Sequence, residues 1–347
     1  MDFTPTEAQG GAREPAARIF ADLATHERLT ATGTGSDPEL WKALCGADLF
    51  GAVEEVGLLG LVLLLEEQGR TTAQVPYAAT CVYGLLALFA HGTPEQRERL
   101  LPGVRYGHAV VSGAFPAQGG VRVFARGGVI SRARLSGTVP VVPWLRDATH
   151  VLLADGENRL WLVPLRVHAE VTPVELTAPW SAGRLTLDGA GAERLGGEDA
   201  SADVLATART AFAGLQAGVC AGSIARAVAH VNTREQFGRP LGTRQAVQLR
   251  AADAHMDTEA IRVTAYEAAW RRDAQLPYVT PALTAAWWAS EAGRRVVRTG
   301  RHLHGGAGDG LGHPVHRHFP WGRQLDAYLG CGSEVLQELE ELIASGE

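Results

Sequence analysis

Within five positions, Arg234-Glu235-Gln236-Phe237-Gly238 collects a guanidinium, an amide and an aromatic ring, and Gln245 adds a second amide shortly after. An arginine fork grips an anion and an aromatic face stacks on a flat ring, so the chemistry on offer is the holding of an anion joined to a ring. Two long helical patterns must position these groups. Upstream, Phe212, Leu215, Val219, Ile224, Val228 and Val231 make an apolar stripe at steps of about three to five residues. Asn232 and Thr233 close that pattern, Gly238, Pro240 and Gly242 prevent its continuation, and Thr243 is placed to cap the helix that follows. The groups therefore stand on a short corner between two helices. A plain helix–helix turn with a solvated arginine is the alternative reading of the same residues.

The chain of 347 residues exceeds one typical core and calls for two or three packed layers or subdomains. A hydrophobic content of 46% and a charged content of 20% are those of a globular protein. The net charge of -6 argues against nucleic-acid binding, which needs a basic face to neutralise phosphates. Lys42 is the only lysine among 32 basic residues, a bias that suits a GC-rich genome, so arginine abundance alone signals no function. Cys45, Cys81, Cys220 and Cys331 show no paired spacing, which fits a reducing cytoplasm. The first residues lack the pattern of a signal peptide. The longest apolar run, from Gly57 to Leu65, falls short of the roughly 20 residues of a membrane helix. The expectation is a cytoplasmic protein without membrane contact.

Three textures follow one another. Residues 1–105 read as helices, with Thr93-Pro94-Glu95-Gln96 as a helix start. Residues 106–196 break into seven short β-rich runs, at 109–112, 121–124, 134–142, 150–153, 159–163, 169–174 and 183–187, which suggest a small barrel or sandwich. Residues 197–347 return to helical periodicity with segments near 203–231, 243–270, 281–303 and 335–343, an antiparallel four-helix bundle. The fold class expected is α+β: an N-terminal α-helical domain, a middle β-barrel or sandwich domain and a C-terminal bundle.

That order, with R-E-Q-F-G on the first bundle corner, resembles the acyl-CoA dehydrogenase flavoprotein family over essentially the whole chain. Met1–Gln9 looks like the family's opening helix and His91–Gly103 like its last N-terminal helix. His304-Gly305-Gly306-Ala307-Gly308 with His313-Pro314 looks like its bundle loop. The resemblance implies an FAD shared at a subunit interface. One chain supplies the flavin-ring pocket and a catalytic carboxylate. Its neighbour lends the corner arginine and phenylalanine, the downstream glutamine and the Gly-Gly loop to the nucleotide end. Here those positions match Arg234, Phe237, Gln245, Gly305 and Gly306, with Gln236 inside the corner motif; His302 stands where the family often has glutamine.

The family's chemistry needs a carboxylate to take the α-proton of an acyl thioester. Its commoner position, within a Tyr-Glu-Gly-Thr-Ser-Glu pattern, matches Leu329-Gly330-Cys331-Gly332-Ser333-Glu334, so Gly330 stands for the base. The alternative position matches Ala208, just before Arg209. Neither accepts a proton. The flavin-supporting Thr-Glu-Pro…Gly-Ser-Asp stretch is replaced by Val111-Ser-Gly-Ala-Phe-Pro-Ala-Gln-Gly-Gly120, and Trp144 alone lies near the usual flavin-facing strand.

Glu334, Asp326 and Asp309 are the carboxylates that could replace the base. His302, His304, His313, His316 and His318 are close enough in sequence for a metal site, but without convincing acidic or thiolate company no metal is expected. Arg294, Arg295, Arg298 and Arg301 could meet phosphates or form an ion-paired helix face, and Trp287 and Trp288 read as bundle packing.

The resemblance thus implies a short, non-catalytic subunit in a hetero-oligomer with a catalytic acyl-CoA dehydrogenase paralogue. The pair would act on an acyl-CoA or acyl-carrier thioester, of fatty-acid or steroid side-chain type, and pass electrons to an electron-transfer flavoprotein. The alternatives are an active acyl-thioester oxidoreductase with a relocated base in a biosynthetic pathway, or a flavin-free scaffold.

Overall fold

The computed structural model describes residues 2–116, 121–125, 132–310 and 312–345. Residues 117–120 of the stretch matched to the flavin support, and the side chain of Asp309, lie outside the described residues.

Helices α1 (Glu7–Leu23), α2 (His26–Thr32), α3 (Pro38–Gly46) and α4 (Ala52–Thr71) open the chain. There follow α5 (Tyr77–Ala79), a π-helical turn over Thr80–Leu86, α6 (Ala87–His91) and α7 (Pro94–Arg105). Side-chain caps start three of them. Thr6 with Gln9 and Thr93 with Gln96 form reciprocal capping boxes, and Asp37 accepts from the amides of Glu39 and Leu40.

All seven strand expectations are met, shifted at their ends. β1 (Val111–Ala114), β2 (Arg122–Ala125), β3 (Arg132–Val142), β4 (His150–Ala154), β5 (Leu160–Pro164), β6 (Ala169–Pro173) and β7 (Gly183–Arg194) form one sheet in the order β1-β4-β5-β7-β3-β2, with β6 also on β7. Every pairing is antiparallel except β1 with β4. Leu185, Leu187 and Ala190 of β7, and Leu135, Val139 and Val142 of β3, enter the buried core of this sheet, with bulges resetting the alternation along both strands.

The remaining helices are α8 (Ala200–Thr233), α9 (Gln245–Asp273), α10 (Val279–Leu303), α11 (His318–Leu325) and α12 (Gly332–Ser345). Thr243 does not cap α9 as expected. It ends a 3-10 turn over Leu241–Thr243, its hydroxyl donates to the Pro240 carbonyl, and Arg244 occupies the cap position without a side-chain bond.

Two compact units result: Met1–Glu27 with Leu58–Ala73 and Arg209–Glu347, and Arg28–Gly57 with Gln74–Ala208. Within the first, α8 meets α4 backbone to backbone. A Cβ on Gly214 would meet Val62, one on Gly218 would overlap the Glu66 carbonyl, and one on Gly222 the Arg70 carbonyl. Glycine at every fourth position thus lets the two helices touch. By length and hydropathy α8 could cross a membrane, but 78% of that window is buried inside the protein, as suits a central bundle helix. No single run of apolar residues revealed it, because small Ala and Gly carry its hydropathy.

Candidate functional site

The corner after α8 is a miniature hairpin, which helical periodicity did not foresee. Strands β8 (Glu235–Gln236) and β9 (Arg239–Pro240) pair antiparallel around Phe237 and Gly238. Both turn residues have positive φ, 54° and 74°, the requirement of a two-residue hairpin turn matched to strand twist. Phenylalanine in this region costs about 1 kcal/mol or more. Its ring is 90% exposed, and the Arg244 guanidinium lies 5.1 Å from its centroid. The Arg244 Nη2 also donates to the Gln236 carbonyl at 3.1 Å, so it splints the hairpin.

Behind the hairpin lies a cavity of about 470 Å³. Its polar side is made by Arg234, Gln236, His230, His302 and His304, with the backbone of Gly305 and Gly306. Its apolar side is made by Val231, Leu241, Val247 and Leu303. The expected residues Arg234, Gln236, Gly305 and Gly306 therefore meet in one place. Phe237 and Gln245 do not line it: the first projects from the hairpin tip and the second begins α9. His230, Leu241 and Val247 were not singled out from the sequence. The stripe that placed Val231 on the inner face also fixes His230 beside it, and that helical neighbourhood was the available signal.

The cavity suits a nucleotide. Gly305 has φ 60°, and a Cβ on either Gly305 or Gly306 would find no atom within 4 Å, so this loop leaves open space for a group to approach the backbone. One guanidinium with several donors faces an apolar wall, which matches a diphosphate joined to a flat base.

The two positions matched to the catalytic base behave differently from a base. Ala208 is fully buried. Gly330 has φ 108°, a conformation strained for any side chain. The carboxylates nearby are engaged. Glu334 accepts from the Cys331 amide at 3.0 Å at the start of α12, and Asp326 pairs with Arg323 at 2.8 Å. Burial first pushes the Asp326 carboxyl up, and Arg323 opposes it.

In the second unit, the described residues 111–116 of the segment matched to the flavin support are packed against their neighbours. Phe115 stacks on Tyr83 with centroids 5.3 Å apart and planes 4° apart. The Ser112 hydroxyl donates to the Pro143 carbonyl. Trp144 is 4% exposed and stacked on Trp180.

The other clusters resolve into packing and ion pairs. Trp287 and Trp288 meet edge to face. Arg295 pairs with Asp257 and Arg294 with Glu291, while the Arg301 guanidinium lies 4.7 Å from the Phe319 ring centroid.

This fold, with helices, then one sheet, then a helical bundle, defines a class of scaffold. Known proteins make it specific. The family model of the acyl-CoA dehydrogenase N-terminal domain matches residues 6–108, and that of the acyl-CoA dehydrogenase C-terminal domain residues 196–339. Acyl-CoA dehydrogenase FadE27 of Mycobacterium tuberculosis is 32% identical, over 99% of each chain. A variant of the Tcur3481-Tcur3483 steroid ACAD is similar in structure, with a TM-score of 0.92 and 40% identity over 98% of each chain. A chain of the ChsE4-ChsE5 complex from Mycobacterium tuberculosis reaches 0.92 at 30% identity over 99% of each. The chain belongs to the acyl-CoA dehydrogenase family, FAD-dependent oxidoreductases acting on CH–CH bonds.

Proposed function

We propose that this chain is the non-catalytic subunit of a heteromeric acyl-CoA dehydrogenase, lending the nucleotide half of an FAD site to a catalytic paralogue. The contrast between its two half-sites carries the reading. The cavity of Arg234, Gln236, Gly305 and Gly306 is open and furnished. The base positions hold Ala208 and Gly330, Phe115 of the flavin-support segment is stacked on Tyr83, and Trp144 is stacked on Trp180.

When bound, FAD supplies the acceptor for the hydride that leaves the acyl β-carbon. This chain's residues hold and orient. Arg234 would fork the diphosphate, and the Gly305 and Gly306 backbone would admit it closely. Val231, Leu241 and Val247 would cover the adenine, while Phe237 and Gln245 would reach outward to the part of the cofactor held by the partner. The partner's carboxylate takes the α-proton.

Two structural relatives are assemblies of two named components, Tcur3481-Tcur3483 and ChsE4-ChsE5, and the first is described as a steroid ACAD. That supports a paralogous partner and a bulky, steroid-like acyl-CoA. A seam on α9 supports subunit contact as well. Leu249, Met256 and Val263 recur at heptad spacing and are 57%, 67% and 50% exposed. The four free cysteines suit a reducing cytoplasm, and an electron-transfer flavoprotein completes the turnover.

Expression alone and with the longer paralogue tests this. The expected result is a colourless chain alone, and a yellow complex holding one flavin per pair that oxidises acyl-CoA. Flavin-dependent dehydrogenation by the isolated chain would overturn it.

A further inference from the structure

His230, His304 and His313 form a ladder of rings beside the cavity. His230 and His304 stack with centroids 4.7 Å apart and planes 25° apart, and His313 meets His304 at a steep angle at 5.0 Å. Two of the three, His230 and His304, line the cavity together with Arg234 and the Gly305–Gly306 backbone.

Hydrogen bonds divide the roles along the ladder. His304 Nδ1 donates to the Gly300 carbonyl at 2.7 Å, so neutral His304 keeps its lone pair on Nε2. His313 Nδ1 accepts from the Val315 amide at 3.2 Å, a cap bond that protonation would break. His313 is thereby held neutral, and the stacked rings of His230 and His304 are the ones that face the cavity.

The charged groups named as acting on the ladder are basic, Arg226 and Arg234 on α8 and His26 at the start of α2, and His302 of α10 lines the same cavity. Burial first, then the neighbouring His304 ring, and then Arg234 for His230 and Arg226 for His313, hold these two imidazoles below the usual range. An empty cavity therefore disfavours a proton, and an anion in it offsets the repulsion from the neighbouring cations.

We propose that docking of a diphosphate in this cavity drives uptake of a proton by the stacked His230–His304 pair, which makes both imidazoles binding residues for the nucleotide tail. The proposal rests on the cavity being the nucleotide half-site. The sign follows from linkage: the bound form holds a proton that the free form lacks, so affinity is highest at low pH and falls as pH rises through the titration of the bound pair.

ADP-ribose is the appropriate probe, because its diphosphate is a diester with no group titrating near neutral pH. Calorimetric titration of the flavin-stripped complex with the longer paralogue, in two buffers of different ionisation enthalpy, reads the protons taken up. Wild type is expected to gain up to one proton. Its affinity should fall toward about tenfold per pH unit, the one-proton limit. His304→Asn keeps a donor for the Gly300 carbonyl but cannot be protonated, and His230→Asn likewise removes a proton site. The two together should abolish uptake and flatten the pH profile. Binding without proton uptake by wild type, or uptake that survives the double variant, overturns the proposal and leaves the nucleotide reading intact. No binding at any pH, in wild type as in Arg234→Gln, overturns both.

Discussion

The Gly330 Cα faces the Arg209 guanidinium: a Cβ added at Gly330 would lie 3.7 Å from Arg209 Nη2. Arg209 is 6% exposed, donates to the Leu329 carbonyl at 3.3 Å and makes two parallel bonds of 2.7 Å to Glu338. The position where the family keeps its base is thus backed by a cation already committed to another acid.

Gly330→Glu should accordingly fail to create an active isolated chain. The new side chain meets a φ of 108°, a strain of about 1–3 kcal/mol. Its carboxylate would compete with Glu338 for Arg209 rather than serve as a free base. Thermal melting should fall, and acyl-CoA oxidation by the chain alone should stay at background. Turnover by the isolated variant would show that the missing carboxylate was the sole defect.

Phe237 should matter to cofactor and not to fold. Phe237→Asn places a residue tolerant of positive φ at the hairpin tip, where the ring is 90% exposed. The melting temperature should hold or rise slightly, while flavin occupancy of the complex falls. Arg234→Gln should lower occupancy by about tenfold or more, since a charge-assisted fork contributes about 1.5–3 kcal/mol. Unchanged flavin content in both variants would remove the corner from the site.

Gly218→Ala should destabilise by about 2 kcal/mol or more, because the added Cβ overlaps the Glu66 carbonyl and two backbones must separate. Gly10→Ala in α1 meets nothing within 4 Å and should stabilise by about 0.5–1 kcal/mol. Chemical denaturation of the two variants side by side reads the contrast.

His318 makes stability fall in acid. It is 1% exposed, and Nε2 donates to the Arg70 carbonyl at 3.1 Å. Burial, reinforced by Arg226 and Arg317, pushes its pKa from 6.5 down to about 4. Between those values the unfolded chain binds a proton that the folded chain refuses, so stability is full above pH 6.5 and declines toward pH 4. The loss from this one residue is about 3 kcal/mol. His318→Gln should flatten that part of the profile, read from denaturation midpoints across pH 4–7.

Local signals in the sequence carried much of this. The period of Phe212 to Val231 marked α8, turn chemistry bounded seven strands, the residue types of Arg234, Gln236 and Phe237 offered a grip for an anion joined to a ring, and the family resemblance added Gly305 and Gly306. Absence was legible too, because a missing acid at Ala208 and Gly330 needs no coordinates to be seen. These features depend on neighbours along one chain. What only the tertiary structure decided depends on approach between distant segments. Gly214, Gly218 and Gly222 read as helix weaknesses until α4 lies against them. Glu66 follows an apolar run yet is fully buried, held by Arg262 at 3.0 Å and approached by Arg13 at 3.9 Å. The stacking of His230 on His304, and the pairing of Arg209 with Glu338, join residues 74 and 129 positions apart. Spacing in sequence specifies which face of a helix a residue occupies, but only packing of one helix on another determines what that face meets.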